Sequence, residues 1–176
     1  MSTYPRPITP KPKPAPKVKA TKRKPKAKAI KILDPDVWFS LCVRERADWM
    51  CQSCGKKYEP WYTAKGIPAN PGLHCSHYIG RGNYAVRFVP DNADAHCYGC
   101  HQKFESNPHI FMMWKYEQLG GILYDILIEK SNDVVLGKQS RREKREIAAH
   151  YKAEFERMRE LRSKGKVGRL NFQGYF

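Results

Sequence analysis

The chain has 176 residues, enough for one modest domain with tails or for two very small domains. Its 33 Lys and Arg residues exceed its 17 Asp and Glu residues, a formal net charge of +16. This surplus favours a polyanionic partner, nucleic acid before an anionic membrane surface, although the charge could also serve only to keep the chain soluble. No run of about 18 apolar residues is present and no apolar segment follows the basic N-terminus, so we expect a cytoplasmic protein with no membrane span or secretory signal.

The first segment, residues 1–33, contains eleven Lys and Arg residues, seven of the thirteen prolines and no acidic residue. A segment of this composition cannot bury an apolar face, and its like charges repel one another. It predicts a disordered arm, which we interpret as a non-specific clamp on the DNA backbone, with a solvated tail as the alternative.

A helix is predicted directly after the arm. Asp34 can cap it, Pro35 can occupy its first position, and it is expected to end near Ala47. Four residues on one face are expected to be apolar and buried: Val37, Trp38, Leu41 and Cys42. Residues 49–104 are rich in Cys, His, Gly and Pro, which indicates loops and short strands, where a bound metal can supply the stability that a small core lacks.

Three more helices are predicted in the second half of the chain. Pro108 begins one that ends at Gly120, and a short apolar helix follows over residues 122–129. Ser140 and Glu143 form a capping box that opens a long basic helix. One face of this helix carries an apolar stripe, formed by Ile147, Tyr151, Phe155, Met158 and Leu161. Such a stripe indicates packing in the core more often than a binding site for a partner.

Four of the six cysteines form two C-x-x-C pairs separated by 42 residues: Cys51, Cys54, Cys97 and Cys100. In a chain without a secretory signal, paired C-x-x-C motifs indicate metal binding rather than disulfides. Four thiolates complete the tetrahedral shell of a structural Zn²⁺ and leave no position for a substrate. A redox C-x-x-C is the rival interpretation, but it would need a βαβ context. No role is assigned to Cys42 or Cys75.

Two histidines and an asparagine accompany the cysteine pairs. His77 precedes Asn92 by fourteen intervening residues, and His101 directly follows the last cysteine. Together they resemble the H, N and H of the HNH nuclease motif, and the Asn…CxxCH segment is similar to that of zinc-bearing HNH enzymes. The resemblance implies an α+β fold with a small zinc-stabilised ββα-metal core flanked by helices. In that core His77 is the general base, Asn92 holds the loop that aims it, and His101 binds a catalytic Mg²⁺ or Mn²⁺.

One position departs from the HNH pattern. Many HNH sites have an Asp or His directly before the base, whereas this chain has Ser76, a poor metal ligand. His74 is the expected substitute, but it would face away from His77 on an extended strand, so a bulge at Cys75 and Ser76 is expected. His96 could belong near either metal. Two histidines are expected to be ordinary helix residues, His109 and His150.

The same region resembles the phage NinG (Rap) recombination-protein family over about residues 34–163. The motifs that carry the resemblance are residues 51–55 (CQSCG), 76–81 (SHYIGR), 87–88 (RF), Asn92 and 97–101 (CYGCH), followed by a basic helix. The family commonly has Asp at position 74, Gln at position 96 and Asn at position 101, where this chain has histidine.

The resemblance implies an endonuclease that acts on branched recombination intermediates, namely Holliday junctions, D-loops and flaps. A phage protein of this kind would work in the host cytoplasm, and symmetric cutting of a junction would suit a homodimer. Three side chains near the motif are candidates to hold DNA phosphates: Arg81, Arg87 and Lys103. The alternatives are a non-catalytic zinc module that binds DNA and an HNH enzyme that nicks linear duplex.

The expected domain organisation has four parts. Residues 1–33 form the arm, and residues 34–130 form the nuclease domain with its zinc site. Residues 131–163 form a linker and the basic helix, and residues 164–176 form a tail.

Overall fold

The computed structural model describes residues 32–64 and 66–176, so the predicted arm lies outside the described residues except for its last two. The described residues form six α-helices and two small antiparallel sheets, which confirms the α+β class. The elements are α1 (Asp34–Arg46), β1 (Trp61–Tyr62), β2 (Pro68–Ala69), β3 (Leu73–His77), β4 (Ala93–Cys97), α2 (Tyr98–Ser106), α3 (Pro108–Leu119), α4 (Gly121–Ser131), α5 (Val134–Arg142) and α6 (Lys144–Ser163). No described helix is both long enough and apolar enough to cross a membrane.

Helix α1 begins and ends where the sequence predicts, but its cap and its buried face differ from the prediction. Asp34 is the first helical residue rather than the cap, and the carboxylate of Asp36 accepts a hydrogen bond of 2.7 Å from the Leu33 N–H. Val37 is exposed and Phe39 is buried. The buried surface is wider than one stripe because α1 packs against both α6 and the β3–β4 hairpin.

Helix α6 completes the main core with its apolar stripe. The first four residues of the predicted stripe are buried against α1, which confirms that they pack in the core. The Tyr151 hydroxyl donates a hydrogen bond to the Phe88 carbonyl, so the stripe also holds the chain that leads into β4.

The start of α6 differs from the prediction. Ser140 is fully buried inside α5 and does not open the long helix, which begins at Lys144. The segment predicted as a linker therefore contains a helix of its own. Gly137 lies in α5, and the side of it that would carry a Cβ faces the Ala85 backbone. This contact joins segments that are distant in sequence, so local sequence does not encode it.

The last residues pack against the domain and do not form a free tail. Phe172 is 8 % exposed within the main core, and the Leu170 N–H donates 3.1 Å to the Arg46 carbonyl. Residues of α1 and α6 thus share one core with Phe172.

Strands β3 and β4 and helix α2 follow one another as a strand–strand–helix unit. The two strands pair without interruption from Leu73 opposite Cys97 to His77 opposite Ala93. Helix α2 starts directly after β4, at Tyr98, and contacts both strands. This unit places the start of β3 beside the first turn of α2, where the Tyr98 N–H donates a hydrogen bond of 3.2 Å to the Gly72 carbonyl.

Candidate functional site

The four cysteines of the two C-x-x-C pairs come together in the structure. The ligand atoms of Cys51, Cys54, Cys97 and Cys100 all lie within 4.8 Å of one another. The Sγ atoms of Cys54 and Cys97 are 3.8 Å apart. Zn–S bonds of about 2.3 Å in a tetrahedron require a sulfur separation of about 3.8 Å. The cluster could therefore hold a zinc ion.

Backbone contacts bring the first cysteine pair to the second. Gln52 lies beside the edge of β4 that does not pair with β3. Its N–H donates a hydrogen bond of 2.8 Å to the Ala95 carbonyl, and its side-chain oxygen accepts one of 2.9 Å from the Ala95 N–H. Gly55 turns the chain with a φ of +73°, a conformation that favours glycine. Met50 and Lys57 close the loop through an isolated β-bridge.

The remaining two cysteines lie away from this cluster. The thiol of Cys42 is buried and donates 3.2 Å to the Tyr151 carbonyl, and burial raises its pKa above the ordinary range. Burial also raises the pKa of the Cys75 thiol to about 12. Both are therefore neutral thiols at physiological pH, unlike the thiolates that bind metal.

A cleft of about 350 Å³ runs beside the strand–strand–helix unit and is lined by His74, His77 and His101. Helix α1 forms its other wall with residues at helical spacing, Asp36, Ser40 and Arg44. The structure thus brings the predicted base and both predicted metal ligands to one cleft. The α1 wall was not predicted, although the spacing of four residues was visible in the sequence.

The bulge expected at Cys75 and Ser76 is absent from this hairpin, whose pairing is regular. His74 and His77 nevertheless line the same cleft. The reason is that β3 is paired only with β4 among the described strands, so the cleft follows its open edge and receives side chains from both faces. Arg44 lies along this edge, where its Nε donates 2.8 Å to the Leu73 carbonyl.

His77 has a defined orientation at the end of β3. Its Nε2–H donates to the Arg87 carbonyl at 3.0 Å, because a carbonyl can only accept, and this leaves Nδ1 with its lone pair. The ring also packs against Phe39, with 5.9 Å between ring centroids. Burial lowers the pKa of His77 to about 4, so the imidazole is neutral near pH 7 and can accept a proton.

Asn92 fixes the loop that follows His77. Its fully buried amide donates 2.9 Å to the Ile79 carbonyl and 3.0 Å to the Val86 carbonyl, and its oxygen accepts 2.8 Å from the Ile79 N–H. The Asn92 carbonyl also accepts 2.9 Å from the Tyr78 N–H. This residue therefore positions the chain beside His77 and does not face the cleft.

His74 and His101 stack on each other, with ring centroids 5.1 Å apart and planes inclined by 28°. The Nδ1 of His101 is buried without a hydrogen-bond partner, and its Nε2 lies 3.6 Å from Glu105. Burial, followed by the nearby His101 and Arg44, lowers the pKa of His74. Two adjacent imidazoles with an unpartnered nitrogen fit a divalent ion, but in residues 32–64 and 66–176 the cysteine cluster alone brings three or more ligand groups together.

The three predicted phosphate-binding side chains have different positions. Arg81 lines the cleft and Lys103 is exposed on α2. Arg87 is 1 % exposed and forms a two-point ion pair with Asp36, at 2.8 and 2.6 Å. A phosphate cannot reach Arg87 without displacing this carboxylate, so its prediction as a DNA contact is corrected to a structural role.

His96 belongs to neither site. It is fully buried, its ring packs against Phe104, Phe111 and Trp114, and neither ring nitrogen has a hydrogen-bond partner in the described part of the chain. Burial lowers its pKa to about 4.

Comparison with models of known protein families, with curated proteins and with solved structures found no match to this chain.

Proposed function

We propose that this protein is a metal-dependent endonuclease that hydrolyses DNA phosphodiesters. The observation that carries the proposal is the cleft shared by His74, His77 and His101, in which the Nε2–H of His77 is bound to the Arg87 carbonyl and its Nδ1 is left unprotonated. A neutral imidazole of fixed tautomer at the end of a strand is suited to general-base chemistry on a water molecule. The net charge of +16 supports DNA as the polyanionic substrate.

In this mechanism His77 Nδ1 accepts the proton of the attacking water. Asn92 and the Arg87 carbonyl keep the ring aimed while the proton moves. Arg81 and Arg44 supply positive charge in the cleft, where they would attract the scissile phosphate. Burial keeps His77 neutral before the reaction and thereby maintains the fraction of protein ready to act as a base.

His74 and His101 would hold the catalytic ion. When bound, the ion would stabilise the charge of the phosphorane and of the leaving oxygen. Two imidazoles are a softer donor set than the oxygens that Mg²⁺ prefers. We therefore expect Mn²⁺ to support more activity than Mg²⁺, and the cysteine cluster to hold a separate structural zinc.

We further propose that the substrate is branched recombination DNA, namely Holliday junctions, D-loops and flaps, cut in the cytoplasm by a homodimer. This part rests on the resemblance of the cysteine and histidine motifs to the NinG family. A non-catalytic zinc module that binds DNA is the second candidate. It is favoured by one observation, that the cysteines alone form a compact metal cluster in the described residues.

The test is nicking of supercoiled plasmid with Mn²⁺ by the wild type, by His77→Ala and by His109→Ala. His109 is an exposed histidine outside the cleft and is the matched control. We expect His77→Ala to lose at least about 100-fold in rate, the scale of general-base catalysis, and His109→Ala to cut like the wild type. Equal nicking by His77→Ala and wild type would remove His77 from the mechanism, and binding without nicking by the wild type would favour the second candidate.

A further inference from the structure

A second groove of about 500 Å³ lies between the start of α1 and the first turns of α6. Its α1 side includes Ile32 and Trp38, and its α6 side includes Ala148 and Ala149. Three cationic side chains border it: Lys144, Arg145 and Lys152. The groove therefore combines an apolar floor with a positively charged rim, which we call the α1–α6 groove.

The rim cations are available for an external anion. Within the described residues, Lys144 and Arg145 make no side-chain hydrogen bond or ion pair. Lys152 makes a loose ion pair with Glu156, at 3.9 Å between exposed groups, and contacts the Trp38 ring. Such a pair contributes little and is easily exchanged. Asp34 is the acidic residue that lines the groove, so the rim retains an excess of positive charge.

The α1–α6 groove borders the histidine cleft. Ile32 lines both, and the first two turns of α1 separate them, with Asp34 and Trp38 on the groove side and Asp36 and Val37 on the cleft side. Residues 1–31, which carry eleven Lys and Arg residues, are attached to the chain at this junction. Positively charged residues therefore lie next to the cleft in the structure, at the groove, and next to it in the sequence, in residues 1–31.

We infer that the α1–α6 groove holds the sugar–phosphate backbone of duplex DNA on one side of the histidine cleft, with Lys144, Arg145 and Lys152 on successive phosphates. Backbone contact is favoured over base stacking because Trp38, the aromatic ring in the groove, is partly buried and has the Lys152 ammonium 5.6 Å from its centroid. Contacts of this kind position DNA and carry no sequence preference. The inference deepens the proposed function, since it assigns the path of the substrate beyond the cleft.

The test measures binding of linear duplex DNA to the zinc-loaded full chain without added Mg²⁺ or Mn²⁺, over a range of salt concentrations. A triple variant, Lys144→Ala with Arg145→Ala and Lys152→Ala, should lower the slope of log K against log salt by about 2 to 3, because each lost phosphate contact removes about 0.9. The matched control replaces three exposed lysines outside the groove and the cleft, Lys138, Lys164 and Lys166. We expect the control triple to change the slope by less than about 1.

An unchanged slope in the groove triple, or an equal change in both triples, would overturn the inference. Thermal unfolding checks that each triple folds, and the single variant Arg145→Gln should still lower the slope by about 1. Because binding is measured without a catalytic ion, this result is independent of the nuclease test. A wild type that binds through the groove but never cuts DNA would end the proposed function and leave the groove assignment intact.

Discussion

At the scale of single residues, His77 shows how a common side chain acquires a specific chemical form. The Arg87 carbonyl selects the Nε2–H tautomer, and burial against Phe39 disfavours the charged ring. The Arg87 carbonyl is itself held in place because the guanidinium of the same residue binds Asp36 on α1. The orientation of the proposed base therefore depends on an ion pair between segments 51 residues apart.

The first prediction at this scale concerns the protonation of His77. Nitrogen NMR of the histidine rings should show His77 as the neutral Nε2–H tautomer at pH 7 and still neutral at pH 5.5. The reason is that its pKa is lowered to about 4 by burial. The unfolded chain takes up a proton below about pH 6.5 whereas the folded ring does not, so this group lowers the free energy of unfolding as pH falls from about 6.5 towards 4. A midpoint near 6.5, or the Nδ1–H tautomer, would contradict the orientation described here.

Residue types predict chemistry better than they predict burial. Sequence reasoning selected His77, Asn92 and the four cysteines, because each follows a local motif with a fixed spacing. It placed Arg87 on DNA because Arg87 lies near the motif residues in the sequence, and it could not anticipate the partner Asp36. Buried ion pairs of this kind are set by tertiary packing, which a single sequence does not display.

At the scale of elements, the two C-x-x-C loops join segments that lie far apart in the sequence. The first loop lies between α1 and the small β1–β2 sheet, and the second spans the end of β4 and the start of α2. Gln52 aligns the loops through its two hydrogen bonds to Ala95. A metal ion at the cysteine cluster would therefore hold α1, β4 and α2 in one arrangement.

The prediction for this element is that Cys97→Ser loses zinc and cooperative folding. Structural zinc contributes about 10 kcal/mol or more, which is comparable with the whole stability of a small domain. Zinc content and thermal unfolding are measured on the same samples. Cys75→Ser is the control, because Cys75 lies outside the cluster, and it should keep one zinc per chain. A folded Cys97→Ser protein with a full equivalent of zinc would contradict the structural role.

The cleft shows why the bulge expected in β3 is not needed. Alternation along a strand predicts that His74 and His77 point to opposite faces, and the regular pairing of β3 agrees with this. On an open edge, both faces border the same space, so the two rings line one cleft. Whether a strand lies at an edge depends on the sheet order, which is a tertiary property.

At the scale of the whole molecule, one core joins the beginning and the end of the chain. Helix α1 packs along α6, and the last residues cover their contact, with Arg46 positioned 5.3 Å over the Phe172 ring. The start of α1 was predicted because a proline marks it locally, and both ends of α3 because a proline and a glycine mark them. Helix α5 and the packed C-terminal segment were missed because long-range contacts stabilise them. The predicted homodimer and the disordered arm stay predictions.

The prediction at this scale is that Phe172→Ala lowers the free energy of unfolding by about 3 kcal/mol, the cost of deleting a buried aromatic ring. Chemical denaturation of the zinc-loaded protein provides the measurement. Val167→Ala is the control, because Val167 is 85 % exposed, and it should change stability by less than about 0.5 kcal/mol. Equal stability of Phe172→Ala and wild type would mean that residues 164–176 form a free tail in solution.

The central claim is metal-dependent hydrolysis of DNA, and cleavage of end-labelled four-way junction, flap and linear duplex DNA tests it most directly. The reactions contain Mn²⁺, Mg²⁺ or EDTA, with His77→Ala as the reference. We expect cuts with Mn²⁺ that are weaker with Mg²⁺, absent in EDTA and absent in the variant, with branched DNA cut in preference to linear DNA. Tight binding of all three DNAs by the zinc-loaded wild type, with every strand intact in every metal, would contradict the claim.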